Sequence, residues 1–302
     1  MENTKKVAIV MSTYNGEKYI KQQLDSLLNQ TYKNIHIFIR DDGSKDNTLS
    51  ILEKYENDNI TLIKGENCGF VKSFFDLLKQ VDRYDYYAFC DQDDVWMENK
   101  IERTVNMLSK LDETKPNLYF SNSDYYDIDL NFVANGEINK IYNFRNSLVE
   151  CVSQGMTMCI NKVARDMLVE NIPKNCISHD CWIYMLCAGL GNMVYDKESL
   201  VKYRRHTTSV TAEGKNFVQF QIWRIKKFIL NDSLKLIRKQ LIEFGNIYID
   251  KLDKENQKLM KLFMNEKYNF LNSIKKAFYP KKFRKKTIDE ILLRIIFIIG
   301  ML

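Results

Sequence analysis

The stretch Tyr86-Tyr87-Ala88-Phe89-Cys90-Asp91-Gln92-Asp93-Asp94-Val95-Trp96 constrains this chain more than any other. Five uncharged residues of strong strand preference run into three carboxylates within four positions, and an aromatic residue closes the run. A short segment that is apolar on both faces suits a buried strand of a parallel sheet. Such sheets gather ligands at the carboxyl ends of their strands. Three acids crowded there repel one another, and a divalent cation relieves the repulsion, because carboxylate oxygens are natural ligands of Mg2+ and Mn2+. Mg2+ usually takes one or two protein carboxylates and completes its shell with water and phosphate oxygens. The stretch therefore reads as a platform for a metal and a diphosphate. The plainer alternative is a solvated acidic loop capping the next helix.

The flanking chain predicts an α/β fold. Val7–Thr13, Ile35–Arg40, Ile60–Lys64 and Tyr86–Cys90 are strand-like runs. Between and after them, Glu17–Gln30, Thr48–Tyr55, Gly69–Val81 and Glu98–Leu111 carry apolar residues at helical spacing. Strand–helix alternation of this kind predicts a mostly parallel, doubly wound sheet. The loops after the first two strands then share an edge with the acids. In Ser12-Thr13-Tyr14-Asn15-Gly16, Tyr14 can pack on a flat base while Ser12 bonds to it, or the string is a polar turn. Asp42 can accept the N3–H of a uracil or thymine ring, although Asp41-Asp42-Gly43 is also a good turn sequence. No G-x-G-x-x-G opens the first helix and no Walker-type loop is present, which argues against a dinucleotide dehydrogenase and leaves phosphate charge to a metal.

At 302 residues, with 45% hydrophobic and 28% charged residues, the chain has room for one large α/β domain and a C-terminal appendage. Val7–Met11 is too short for a signal peptide or a membrane span. The seven cysteines are scattered and read as reduced thiols of a cytoplasmic protein. Cys176, His179 and Cys181 lie close in sequence, but their spacing matches no standard zinc set. The net charge of +6 is exceeded by Lys275–Lys286 alone, which carries seven positive charges and no acid. Such a segment fits an anionic membrane or a nucleic acid. Ile288–Leu302 is apolar apart from Asp289, Glu290 and Arg294, and is shorter than the ~20 residues of a spanning helix.

Four strings, in order, carry a resemblance: Val10-Met11-Ser12-Thr13-Tyr14-Asn15, Arg40-Asp41-Asp42-Gly43-Ser44, Asn67-Cys68-Gly69-Phe70 and Asp91-Gln92-Asp93-Asp94-Val95-Trp96. Over about residues 5–210 the chain resembles a family 2 glycosyltransferase of the GT-A fold, and the Asp-Gln-Asp-Asp-x-Trp form is similar to the rhamnosyltransferase-like branch. The resemblance implies a catalytic domain over 1–212, with a nucleotide-binding half (1–112) and an acceptor half (113–212); residues 213–302 lie outside it and read from their own apolar spacing as a helical, basic extension. It implies that Asp42 recognises the pyrimidine, with Ser12 and Tyr14 framing it, and that Asp91 and Asp93, with Asp94 nearby, hold Mn2+ or Mg2+ on the diphosphate. The Tyr-Arg-x-His-like string at Tyr203–His206 implies that His206 ligates the metal or bonds the diphosphate, and that Arg204 or Arg205 offsets leaving-group charge. Gly155, Met156 and Thr157, with His179 and Trp182, fall where the family faces its acceptor.

Asp180 leads an apolar helix and is either a first-turn acid or, as the resemblance implies, the general base of an inverting transfer. The expected partners are a nucleotide-sugar donor, dTDP-rhamnose or otherwise a UDP-sugar, and a saccharide acceptor on a lipid carrier. Residues 275–302 are expected either to meet an anionic membrane on its cytoplasmic face or to pack on protein, a second subunit included, with no nucleic acid involved. Two other readings remain. A sugar nucleotidyltransferase wants a Gly-rich basic loop after strand one, which Ser12–Gly16 is not; an inactive scaffold that binds membrane or nucleic acid would not need acids at 42, 91, 93 and 180.

Overall fold

The computed structural model describes residues 5–205 and 233–302. Its strands are β1 (Val7–Thr13), β2 (Ile35–Asp41), β3 (Ile60–Lys64), β4 (Tyr86–Cys90), β5 (Val95–Trp96), β6 (Asn117–Tyr126), β7 (Phe132–Ala134), β8 (Met158–Asn161) and β9 (Asn192–Arg204). Helices α1 (Ile20–Leu28), α2 (Thr48–Leu52), α3 (Phe70–Gln80) and α4 (Lys100–Leu108) follow β1, β2, β3 and β5. Downstream come α5 (Phe144–Ser147), α6 (Lys162–Glu170) and α7 (His179–Leu190). The C-terminal helices are α8 (Ser233–Tyr248), α9 (Lys254–Lys261), α10 (Phe270–Ala277) and α11 (Thr287–Ile298).

The chain divides into two compact units. The first comprises residues up to Asn139, Val152–Ile172 and Leu186–Arg205; the second comprises Lys140–Cys151, Pro173–Met185 and the chain after Arg205. This differs from the single boundary expected after residue 212, because side chains of the second unit stitch those two short segments to its helices. Glu243 on α8 accepts the backbone N–H groups of Lys174 and Asn175 at 2.7 and 2.8 Å, and Gln240 accepts that of Ile177 at 2.9 Å. Asn146 donates to the Phe283 carbonyl at 2.8 Å.

In the first unit one sheet runs β3-β2-β1-β4-β8-β6-β9-β5, with β7 beside β6. β1 pairs in parallel with β2 and β4, and β2 with β3. That half is the expected doubly wound sheet. Val7, Ile9 and Met11 pack with Ile20, Leu24 and Leu27 of α1 and Ile101 and Val105 of α4. The alternate residues face the other way: Phe89 meets Phe74 of α3 at 5.8 Å between ring centroids, and Tyr87 lies 5.7 Å from the Arg165 guanidinium of α6. All five residues of β4 are buried, as a strand covered on both faces requires.

The other half is mixed rather than parallel. β8 runs antiparallel to both β4 and β6, β9 parallel to β6, and β5 antiparallel to β9. β8 is short, Met158–Asn161, and is preceded by a 3-10 turn at Gly155–Thr157. Two registers position the site: Thr13 pairs with Asp41, and Met11 with Cys90. The loops after β1, β2 and β4 thus leave the same edge side by side.

Candidate active site

The acid loop leaves β4 with Asp91 and Asp93 half-exposed and Asp94 fully buried. Asp94 Oδ1 accepts the Arg204 backbone N–H at 2.9 Å, while Oδ2 is buried with no hydrogen-bond partner. Burial, followed by the charges of Asp91 and Asp93, pushes the Asp94 carboxyl well above its usual range. Oxygen-only donors of this kind, with one orphaned oxygen beneath them, fit a hard cation such as Mg2+ or Mn2+. Asp91 and Asp93 are the half-exposed pair of the loop.

Arg204, expected on the leaving group, is 2% exposed and has its guanidinium engaged by the protein. It donates to the Asp93 carbonyl at 2.7 Å, to Gln22 at 2.6 Å and to the Ile128 carbonyl, and it lies 4.5 Å over the Tyr19 ring. Hydrogen bonds to a guanidinium are worth about 1.5–3 kcal/mol each, so this side chain braces the acid loop instead of reaching into solvent. His206 lies outside the described residues.

Gln92 joins the acid loop to the tyrosine loop. Its Oε1 accepts the Tyr14 N–H at 2.9 Å and its Nε2 donates to the Tyr14 carbonyl at 3.1 Å. A Cβ at Gly16 would sit 2.3 Å from that Oε1, so the clasp needs glycine there. Tyr14 is held by its backbone and keeps its ring free, 41% exposed. Ser12 Oγ lies 2.6 Å from Ser73 Oγ, and Ser73 in turn accepts from Arg40 at 3.0 Å.

Asp42 sits at the end of this chain of bonds and is 2% exposed. Its carboxylate accepts from the Arg40 guanidinium, from the Cys68 N–H at 3.0 Å and from the Gly69 N–H at 2.9 Å. Burial acts to raise its pKa, but Arg40 and the Cys68 and Gly69 donors outweigh it and hold the carboxyl below its usual range. Both oxygens are taken, so in this structure Asp42 offers no free face to a base.

In the second unit α7 begins at His179 and places Asp180 in its first turn, half-buried, with Oδ1 accepting the Cys181 N–H at 2.8 Å. The positive end of the helix dipole favours an anion there. His179 is 4% exposed; burial lowers its pKa to about 4, opposed by the Asp180 charge, so its imidazole is neutral at physiological pH. Trp182, expected to line an acceptor site, is fully buried and packs edge-on against Phe244 at 5.5 Å. It is a core residue.

Within the first unit Met156 and Thr157 are buried as well. Met156 is 2% exposed and part of the sheet core, Thr157 is fully buried and bonds the Gln154 carbonyl at 2.8 Å, and Gly155 is buried. The sequence reading assigned no roles to Gln92, Arg40 or the backbone of Cys68 and Gly69. Arg40 and Gln92 stand inside the quoted strings, but nothing local says which way their side chains turn.

Residues 8–172 match the family described as Glycosyl transferase family 2. The chain is 28% identical over 314 residues to the dTDP-rhamnosyl transferase RfbG of Shigella flexneri, covering 96% of this chain and 100% of that one. It is 30% identical over 213 residues to an Escherichia coli UDP-Glc:alpha-D-GlcNAc-diphosphoundecaprenol beta-1,3-glucosyltransferase, WfaP, covering 68% and 80%. Among solved structures, S. aureus TarS 1–349 in complex with UDP-GlcNAc matches with a TM-score of 0.61 at 16% identity, covering 98% of this chain and 81% of that one.

Proposed function

The chain belongs to glycosyl transferase family 2, and from that premise we propose that it is an inverting, metal-dependent sugar transferase using dTDP-rhamnose or a UDP-sugar. The observation that carries this reading is the acid loop at the sheet edge. Asp91 and Asp93 are its half-exposed carboxylates, Asp94 is buried next to them in the loop, and the Tyr14 loop is tied to it through Gln92. When bound, Mg2+ or Mn2+ would neutralise charge on the diphosphate leaving group; Asp91 and Asp93 would hold it. Tyr14 offers its exposed ring to the base. Asp42 would reach the base's imide N–H only after the Cys68–Gly69 backbone yields its two bonds. Asp180 takes the proton from the acceptor hydroxyl, and the neutral His179 beside it keeps positive charge away from that carboxylate.

The preference for a rhamnosyl donor rests on the likeness to RfbG over the whole chain, and that for a lipid-linked acceptor on the likeness to WfaP. The test is release of nucleoside diphosphate from a panel of nucleotide sugars with Mn2+. We expect the rhamnosyl donor to be hydrolysed fastest, and Asp93→Ala to weaken Mn2+-dependent donor binding by at least ~10–100-fold, as loss of a direct ligand should exceed the effect of an outer partner. A panel with no turnover, or unchanged Mn2+-dependent binding in the variant, sinks the metal site.

Peripheral attachment to the cytoplasmic face of the membrane is part of the proposal. No described helix is long and apolar enough to cross a membrane. Yet α11 turns Ile288, Ile291, Ile295 and Ile298 outward on one helical face, while Leu293 and Phe297 point inward. Phe270, Leu271 and Phe278 are 60%, 68% and 74% exposed on and beside α10, next to exposed Lys275, Lys281, Lys282 and Lys286. Apolar side chains ringed by lysines fit an anionic lipid surface. Not all of the basic run serves it: Lys276 is buried and donates to the Leu302 carbonyl at 2.6 Å. Removing the whole segment would also remove Phe283 and Phe297, which pack on Phe263, so a surface variant is the cleaner probe. Ile291→Glu with Ile295→Glu is expected to cut binding to anionic vesicles at least ~10-fold, since each buried isoleucine contributes about 1.5–3 kcal/mol. Unchanged sedimentation with vesicles would assign this face to a protein partner.

A further inference from the structure

Among the described residues, one group of potential metal ligands brings its donor atoms together: Cys151, Asp180 and Cys181, all within 4.8 Å of one another and all half-buried. All three lie in the second unit, where Cys151 ends one of its short segments and the other two open α7. We propose that they form a site for a thiophilic divalent cation, with Zn2+ the natural occupant, that competes with the proton-accepting role of Asp180.

The donor chemistry separates this site from the acid loop. Two sulfurs and one carboxylate select a borderline-soft ion, whereas the all-oxygen loop selects a hard one. Three protein ligands plus an open position held by water is a common zinc arrangement. Ligand atoms held at ~2.0–2.3 Å from one ion stand inside that 4.8 Å limit, so at most small side-chain rotations close the set. Asp180 is already folded back: its Oδ1 accepts the Cys181 N–H, which brings carboxylate and thiol to the same side of the first turn. A third thiol, Cys176, borders the group; its Sγ donates to the Ser178 carbonyl at 3.0 Å, and burial, followed by the charges of Cys181 and Asp180, holds it protonated. Binding releases the two thiol protons to solvent, and the sulfurs become thiolate ligands. Cys151 stands 29 positions before Asp180 in the chain, so sequence spacing, which set Cys176, His179 and Cys181 together without matching a zinc set, missed the ligand that the fold supplies.

The consequence for activity rests on the reading of Asp180 as base, but the site does not. The first experiment therefore uses metal alone. Co2+ is titrated into the full chain, as a spectroscopic stand-in for Zn2+, with excess Mg2+ to fill the acid loop. The expected result is one thiolate-to-cobalt charge-transfer band per chain. Zn2+ should displace it, Cys151→Ser and Cys181→Ser should each lack it, and Asp180→Asn should form it about tenfold more weakly. No band, or a band that survives in either serine variant, overturns the proposal.

A second measurement needs no variant. Zn2+ should shield Cys151 and Cys181 of the wild-type chain from alkylation, mapped by mass, while half-exposed Cys68 reacts as before. Equal labelling with and without Zn2+ overturns the site. Transfer activity comes last: Zn2+ should inhibit the wild type, and Cys181→Ser should relieve the inhibition. A cobalt band without zinc inhibition upholds the site and removes Asp180 as the base.

Discussion

Asp180→Asn is expected to lower sugar transfer by ~10²–10⁴-fold, the usual contribution of a positioned general base, while leaving the affinity for the nucleotide-sugar donor unchanged. The substitution keeps shape and the local hydrogen bond, because an amide oxygen can still accept the Cys181 N–H that Asp180 accepts at 2.8 Å. What is lost is proton affinity, plus a first-turn negative charge worth about 0.3–1 kcal/mol to the helix. The fold should therefore survive with little change in Tm. The two measurements are steady-state transfer to an acceptor sugar and donor binding by calorimetry. Transfer that persists near the wild-type rate would strip Asp180 of its role. Loss of donor binding equal to that of Asp93→Ala would mean that the two carboxylates had been assigned to the wrong halves of the reaction.

Much of the sheet edge that carries the candidate site was legible because its signals are local. Four strands and the helices around them follow from runs of apolar residues with period 2 or 3.6, and the edge they share follows from a parallel sheet's topology. The acids at Asp91, Asp93 and Asp94 needed no partner to be noticed. Which of them faces outward was not readable. That depends on Arg204, whose backbone takes one oxygen of Asp94 from 110 positions downstream.

Arg204 itself shows the limit of a motif. Its place in a basic string suggests a phosphate contact, yet Gln22, Asp93 and Ile128 satisfy its donors. Asp42 is similar: the position was legible, but not the grip of Arg40, Cys68 and Gly69 on it. The burial of the acceptor-side residues was hidden for a different reason. A family resemblance marks a segment, and within a segment only packing says that Met156 joins the sheet core or that Trp182 meets Phe244. At the C-terminus the composition was informative because exposure there runs against the usual pattern, with isoleucines outside and Glu290 inside.

Lys100→Met is expected to stabilise the protein at neutral pH and to abolish a rise in stability between about pH 8 and 10.5. Lys100 follows the acid loop at the start of α4, is fully buried, and its Nζ has no hydrogen-bond partner; it stands 3.6 Å over the Trp96 ring. The thiols of Cys90 and Cys159 are the titratable groups that act on it. Burial lowers its pKa from 10.5 to about 8, with Cys159 and Cys90 opposing.

The sign follows from proton counting. Between those two values the unfolded chain holds a proton that the native chain has given up, so stability increases with pH across the window. Below about pH 8 both states are charged and the full penalty applies. The fall from 10.5 to about 8 corresponds to ~3 kcal/mol. Cation–π attraction to Trp96, worth ~2 kcal/mol when desolvated, favours the charged form and narrows the window from its lower end, so the gain for methionine at pH 7 lies between ~1 and ~3 kcal/mol. Methionine fills a similar volume without a charge and suits the neighbouring aromatic ring. Denaturant midpoints of wild type and variant, taken in parallel from pH 7 to 11, cancel the contribution of all other groups. The difference should fall steadily as pH rises, and a difference that stays flat would mean that Lys100 keeps an ordinary pKa and is solvated from a side the structure leaves closed.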